Sequence, residues 1–221
     1  MSQHYLLCST IPKDYNVQKG KCYFLWGEIL YVSIYQYKRS SLDSLFNFPI
    51  KTSQNNFIEL SSYRSNDVSS EYYYDNMLTK LIESSNDSYP IKLYVELYQE
   101  IDEELLNNKI NFMVLCESYE KKLYCLNICN RDELKSSLKF FYQSGMDSLF
   151  NTITKSDQKV HITIKNQIVL FADQDLEIPC FSFTHDLQGL ILFGQEKWTS
   201  EDFVKKELLG DSLVIEEVDI L

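Results

Sequence analysis

Cys180, His185 and Asp186 are the residues whose types and spacing come nearest to an enzymatic site in this sequence. A cysteine becomes a nucleophile when a nearby histidine takes its proton and an acidic side chain orients that histidine. The local sequence opposes this use, because Cys180 stands in the apolar run IPCFSF and apolar surroundings raise the pKa of a thiol. We favour a buried structural cysteine beside a turn. The alternative is a small cysteine- and histidine-dependent enzyme or secreted effector.

Motifs that would hold a cofactor or a metal are missing. The sequence contains no Gly-x-Gly-x-x-Gly, no Walker-type lysine loop and no Gly-x-Ser-x-Gly, and it has only six glycines in all. None of the six cysteines forms a Cys-x-x-Cys pair, so neither a zinc site nor a disulfide framework is expected. We therefore expect no cofactor and no metal. Whether the chain is an enzyme stays open, with a non-catalytic role favoured.

The charge of the chain bears on its partners. The formal net charge is −11, and residues 91–221 carry 23 acidic and 13 basic side chains, which is 10 of those 11 net negative charges. Phosphate backbones and anionic lipids both require lysine and arginine, so neither a nucleic acid nor a membrane is an expected partner. An acidic surface can instead attract a basic protein, although it also simply keeps a protein soluble.

Acidic residues concentrate after residue 90, and two tyrosines lie close to an acidic cluster there. The segment IKLYVELYQEIDEELL places Tyr94 and Tyr98 on the predicted polar face of a strand, and the acidic cluster follows directly. Tyrosine is enriched at protein interfaces because it offers area and a hydrogen-bonding tip. The candidate partner-binding residues are Glu100, Asp102, Glu103, Glu104, Tyr94 and Tyr98.

The elements that would position these residues alternate between hairpins and a few helices. Residues 21–38, 110–129 and 159–172 predict hairpins, while 69–84, 130–145 and 198–210 have helical spacing. The helix over 130–145 has Asn130 as its predicted N-cap and Gly145 as its stop. The two apolar faces of the 110–129 hairpin predict a central position in a sheet covered on both sides. The predicted fold class is α+β: a mostly antiparallel or mixed sheet with several helices packed on it, and two similar halves as an option.

The halves are suggested by DSLFN, which occurs at Asp43 to Asn47 and again at Asp147 to Asn151. A duplication would explain the offset of 104 residues, but the flanks predict a strand in one copy and a helix in the other. Paired catalytic carboxylates are one interpretation of Asp43 and Asp147. The favoured one is a capped turn in which Asp is the N-cap and Leu and Phe are buried.

The sequence thus predicts a single compact domain over 1–221, with an internal subdivision near 85–90 (1–88 and 89–221) as an option. The amino terminus has no basic leader and no stretch reaches about 20 apolar residues, so a cytoplasmic location is expected. The expected function is a non-catalytic protein-binding module of the immunity, inhibitor or adaptor type. It would act on a basic protein partner, and the oligomeric state is left open.

Overall fold

The structure is a computed structural model of the chain. It describes residues 19–25, 30–38, 42–64, 78–79, 82–83, 89–118, 120–155, 161–163, 168–172, 180–187, 189–194, 200 and 213–214. The predicted carboxyl-terminal helix over residues 198–210 lies outside this part of the chain, apart from Ser200.

The elements whose bounds are described are thirteen strands, three helices and one 3-10 turn. The strands are β1 (Lys19–Leu25), β2 (Leu30–Lys38), β3 (Ile50–Thr52), β4 (Asn56–Arg64), β5 (Ile91–Leu97), β6 (Asn111–Glu117), β7 (Lys122–Ile128), β8 (Asn151–Lys155), β9 (His161–Thr163), β10 (Val169–Ala172), β11 (Cys180–Phe183), β12 (Leu190–Phe193) and β13 (Leu213–Val214). The helices are α1 (Leu42–Leu45), α2 (Asp102–Asn107) and α3 (Arg131–Met146), and the 3-10 turn is His185–Leu187.

Two sheets organise these strands. The large sheet has ten strands in the order β13-β1-β2-β4-β12-β11-β8-β5-β7-β6, and each neighbouring pair whose register is described is antiparallel. The small sheet has the order β3-β10-β9, with β10 parallel to β3 and antiparallel to β9. The predicted hairpins β1-β2, β6-β7 and β9-β10 are confirmed by their pairing.

Each face of the large sheet carries its own core. On one face, α3 packs Leu134, Leu138 and Phe141 against the alternate β5 residues beginning at Ile91 and Leu93. We call this the helix-side core. The opposite core includes α1 and β10 of the small sheet, and its buried members are Leu45, Phe46, Phe48, Phe57, Tyr94, Leu123, Cys125, Phe150, Leu170, Cys180, Ile191 and Phe193. Because both faces are covered, most strands of the sheet are apolar on both sides.

Helix α3 begins where the sequence predicts. The Asn130 side chain accepts hydrogen bonds from the backbone N–H groups of Asp132 at 3.1 Å and Glu133 at 3.0 Å. The Glu133 carboxylate in turn accepts from the Cys129 N–H at 2.7 Å, which closes a capping-box-like start. The predicted stop at Gly145 is wrong by a small margin, since the helix continues to Met146. Gly145 is instead buried against Phe183 and Leu187, where an added Cβ would lie 3.1 and 2.9 Å from their side chains.

The α+β prediction holds in its broad form, since the protein is rich in antiparallel sheet with helical elements beside it. The expectation of several packed helices is not confirmed: within the described residues only α3 exceeds two turns. Residues 78–79 and 82–83 are helical, and buried Leu78 and Ile82 agree with the one-face spacing predicted for 69–84. No described helix combines the length and apolar character needed to cross a membrane.

The two DSLFN copies occupy different kinds of structure. Asp43 lies inside the one-turn helix α1, whereas Asp147 is the C-cap of α3 and accepts a hydrogen bond from the Gln143 side chain. The prediction of Asp as N-cap is therefore wrong in both copies, and Asp43 and Asp147 do not occupy the equivalent places that the option of two similar halves requires. Burial of Leu and Phe is confirmed in both copies. The ring of Phe48, which directly follows the first copy, lies 4.8 Å from the ring of Phe150 in the second copy.

The segment near residues 85–90 does not divide the large sheet. β4 precedes it in the chain and β12 follows it, yet the two strands pair through Glu59 and Ile191. Helix-side core residues also come from both sides of this segment, among them Leu60 and Leu93.

Candidate functional site

The Cys180 thiol lies inside the sheet rather than in an accessible site. β11 places Cys180 in the core opposite α3, where its side chain is completely buried. Its Sγ is 2.9 Å from the Thr152 Oγ1, a contact in which either atom can donate. Burial raises the pKa of this thiol to about 12, against a smaller opposing effect of the Thr152 hydrogen bond. The thiol is consequently protonated near neutral pH, which is unfavourable for a nucleophile.

His185 and Asp186 are on the other side of the sheet. Their 3-10 turn contacts α3, and its third residue, Leu187, packs against the helix-side core. The His185 Nδ1 is 3.3 Å from the Asp186 carboxylate, and Ser148 Oγ holds Asp186 through two 2.9 Å hydrogen bonds. The pairing of His185 with Asp186 is thus present, but the sheet separates it from the Cys180 thiol. The structure does not bring the three residues together as a nucleophile, base and orienting acid.

Tyr94 was expected on an exposed face and is instead buried, with 8% of its surface accessible. In the sheet it stands opposite Cys125 on β7 and Thr152 on β8, within the core opposite α3. Burial, followed by the neighbouring Cys125 thiol, raises the pKa of its phenol. Tyr94 is therefore a core residue, and the expectation that its ring contributes to a contact surface is wrong. The error arises because β5 alternates in polarity although both faces of the sheet are covered.

The acidic candidates gather at one end of the large sheet. Lys122, the first residue of β7, has its Nζ at 2.8 Å from Glu100, 3.5 Å from Glu117 and 3.7 Å from Asp102. The hydrogen bond that Lys122 donates to Glu100, together with the nearby charges of Glu117 and Asp102, raises the pKa of this ammonium group. The carboxylates of Glu100 and Glu117 remain 72% and 60% accessible, so they carry their charge at the surface.

Asp102 anchors this end to the core. Its carboxylate accepts a 3.0 Å hydrogen bond from the buried Tyr124 hydroxyl, and that hydroxyl accepts the Ile101 N–H at 3.2 Å. Two residues later, Glu104 forms an ion pair with Lys139 on α3. Glu103, between them, is exposed. α2 is thereby held against the sheet with its acidic first turn outward.

We refer to Glu100, Asp102, Glu103, Glu104 and Glu117 as the acidic end. Four of these carboxylates contact the ammonium groups of Lys122 and Lys139, and Glu103 adds a fifth negative charge, so the five carboxylates exceed the two lysines by three charges. Tyr98 stands beside it with 55% of its surface accessible, and the Lys121 ammonium lies 5.2 Å from the centre of its ring. Of the two tyrosines proposed for contact, Tyr98 alone is thus placed at a surface.

Sequence reasoning missed Lys122, Glu117 and the exposed Met113. The hairpin register would have indicated the first two, since residues flanking a short turn face each other across it, and Glu117 does pair with Lys122. Met113 has 61% of its surface accessible on β6, which is the strand at one edge of the large sheet. The prediction of a central 110–129 hairpin is right for β7 and wrong for β6.

Within the described residues, no three histidine, cysteine or acidic side chains are arranged to hold a metal ion. No protein-family model matches the sequence, and no curated protein or solved structure shows significant similarity to it.

Proposed function

We propose that this protein is a binding module of the immunity, inhibitor or adaptor type, which recognises a basic protein through the acidic end and Tyr98. The observation that carries the proposal is the excess of surface carboxylates held on a rigid frame around Lys122. Such a field accelerates encounter with a positively charged partner and selects against acidic ones.

Rigidity matters for this role as much as charge. The Tyr124–Asp102 hydrogen bond and the Glu104–Lys139 pair hold α2 in place before any partner arrives. A preformed surface loses little conformational entropy on binding. Tyr98 adds an aromatic side chain of the kind that is enriched at interface cores.

The test is an association-rate measurement on a partner co-purified from the native host. Two double variants with equal change of net charge are compared: Glu103→Lys/Glu117→Lys at the acidic end and Asp43→Lys/Asp132→Lys elsewhere on the surface. We expect the first variant to lower the association rate about tenfold or more, and the second to change it little. Raising the salt concentration from about 20 to 300 mM should slow the wild type steeply and bring it close to the first variant.

An association rate that is independent of salt and equal in the wild type and both variants would reject this function for the acidic end. Circular dichroism and thermal unfolding of each variant establish that the fold is retained, since both pairs of substitutions lie on exposed side chains.

A further inference from the structure

Strand β6 forms an open edge of the large sheet. It pairs with β7 on one side, and no strand of the described chain pairs with its other side. Such an edge presents unpaired N–H and C=O groups in a row, and proteins usually protect it with charged residues, proline or a covering segment. The strand itself, NFMVLCE, contains no proline and no charge before Glu117.

The side chains of β6 are apolar on both faces. Phe112 and Val114 pack partly against the helix-side core, while Leu115 and Cys116 pack partly against the opposite core. A register shift between Val114 and Cys116 places Leu115 and Cys116 on the same side. Both faces thus expose partly buried apolar area beside an open main chain, and Met113 adds a largely accessible side chain. This combination is what an added strand would cover.

We propose that β6 binds an extended segment of the basic partner by strand addition, so that the segment becomes an eleventh strand of the large sheet. This inference rests on the proposed function and names how the partner docks. Main-chain hydrogen bonds along Asn111–Glu117 would supply affinity that does not depend on the side chains of the segment, and apolar side chains would cover Met113 and its neighbours. Lysine or arginine side chains would be selected by the acidic end.

Charge favours a basic segment over a second copy of this chain as the occupant of the β6 edge. Glu117 is the last residue of β6. Its carboxylate and those of Glu100 and Asp102 all lie within 4 Å of the Lys122 Nζ. Parallel pairing of β6 with β6 of another copy would bring the two acidic ends together, and antiparallel pairing in register would set Glu117 opposite the neutral Asn111 of the other copy. Neither arrangement places a positive charge against the excess negative charge. A segment that alternates apolar and basic residues instead places positive charge where the excess negative charge lies. The occupant we infer is therefore such a segment.

The probe is an eight-residue peptide that alternates lysine with valine or threonine, compared with the same peptide carrying glutamate in place of lysine. We expect the basic peptide to bind at low salt and the acidic one not to bind. Amide hydrogen exchange should slow at alternate residues of Asn111–Glu117, because only every second N–H points outward from an edge strand. Glu117→Gln should weaken binding about threefold to tenfold, and the matched variant Asp43→Asn should leave it unchanged.

Two N-methylated peptides test the main-chain bonds directly. One carries N-methyl groups on the lysines and the other on the residues between them, so that only one set removes the bonds to β6. We expect one of the two to lose binding and the other to keep it. Equal binding by both would overturn strand addition, and so would exchange protection that maps away from β6 while the basic peptide still binds. These two outcomes leave the proposed function standing.

Failure of the basic peptide to bind, even at low salt, would overturn strand addition, and the association rates of the acidic-end variant would then decide the proposed function separately. Concentration-dependent dimerisation accompanied by slowed exchange on β6 would overturn the basic segment in favour of a second copy as the occupant. Sedimentation of the wild-type chain over a hundredfold range of concentration distinguishes this last outcome.

Discussion

At the scale of single residues, the side of the sheet on which a residue lies decides its chemistry. Cys180 and Phe181 are adjacent in the sequence, yet the first belongs to the core opposite α3 and the second to the helix-side core. His185 is only five residues further on, but its turn is on the helix side. A short separation in the sequence therefore gives no proximity here, and Cys180 contacts Thr152 of a neighbouring strand instead.

This placement predicts slow chemical modification of Cys180. The native protein should react with a thiol reagent at Cys180 only as fast as it opens, because the side chain is inaccessible and its pKa is about 12. Cys129, which is exposed, is the internal control and should react rapidly. The measurement is mass spectrometry of peptides after timed labelling at pH 7.5. Equal rates at Cys180 and Cys129 in the folded protein would contradict the burial and revive the enzymatic interpretation.

Residue types alone could predict that Cys180 is buried, because its neighbours in the run are apolar. They could not predict that Tyr94 is buried. The alternation of Lys92, Tyr94 and Glu96 is typical of a solvent-facing strand, whereas Lys92 and Glu96 are partly accessible near the ends of β5 and only the central Tyr94 is covered. What covers that face includes β10 and α1, which are distant in sequence. Local periodicity does not contain that information.

At the scale of elements, sequence patterns predicted the structure correctly where the contacting residues are close in the sequence. The Asn130 cap, the hairpin β6-β7 and the strand β5 all depend on residues within about 20 positions of one another. The edge position of β6 does not, because strand order in the sheet depends on long-range pairing. The two DSLFN copies make the same point: identical letters begin as a one-turn helix in one place and as a helix C-cap in the other.

The α3 cap supplies a prediction at this scale. Asn130→Ala should lower the free energy of unfolding by about 1 kcal/mol, since two backbone N–H groups lose the acceptor that Asn130 Oδ1 provides. Asn130→Asp should retain most of the stability, because it keeps an acceptor and adds negative charge at the helix N-terminus. Urea unfolding followed by circular dichroism measures both. A loss in Asn130→Asp equal to that in Asn130→Ala would show that the cap does not stabilise α3.

At the scale of the whole molecule, two kinds of polar group behave in opposite ways. Carboxylates of the acidic end, such as those of Glu100 and Glu117, remain at the surface, where they keep their negative charge. Several thiols and phenols are instead enclosed by the two cores. Burial raises the pKa of Tyr89 and Cys180 to about 12 and also raises the pKa values of Tyr94, Tyr124 and Cys125.

Because these thiols and phenols are buried, we expect the free energy of unfolding to decrease at alkaline pH. In the unfolded chain thiols ionise near pH 8.5 and phenols near pH 10, whereas the folded chain keeps its protons to higher pH. The folded state then binds more protons than the unfolded state, so the free energy of unfolding decreases as pH rises, by up to about 1.4 kcal/mol per pH unit for each such group. The raised pKa of Lys122 acts in the same direction, because its ion pairs stabilise the fold below about pH 10.5 and are lost when it deprotonates.

The measurement is the urea midpoint between pH 7 and pH 11, under reducing conditions, for the wild type and for Cys180→Ala. We expect a wild-type plateau near neutral pH and a decline that begins close to pH 8.5, before the tyrosines of the unfolded chain ionise. Cys180→Ala should start from a lower plateau, because it leaves a small cavity, but its decline between pH 8.5 and 10 should be shallower. Parallel curves for the two proteins would mean that the Cys180 thiol ionises equally readily in the folded and unfolded states, which is incompatible with its place between the sheet and the small sheet.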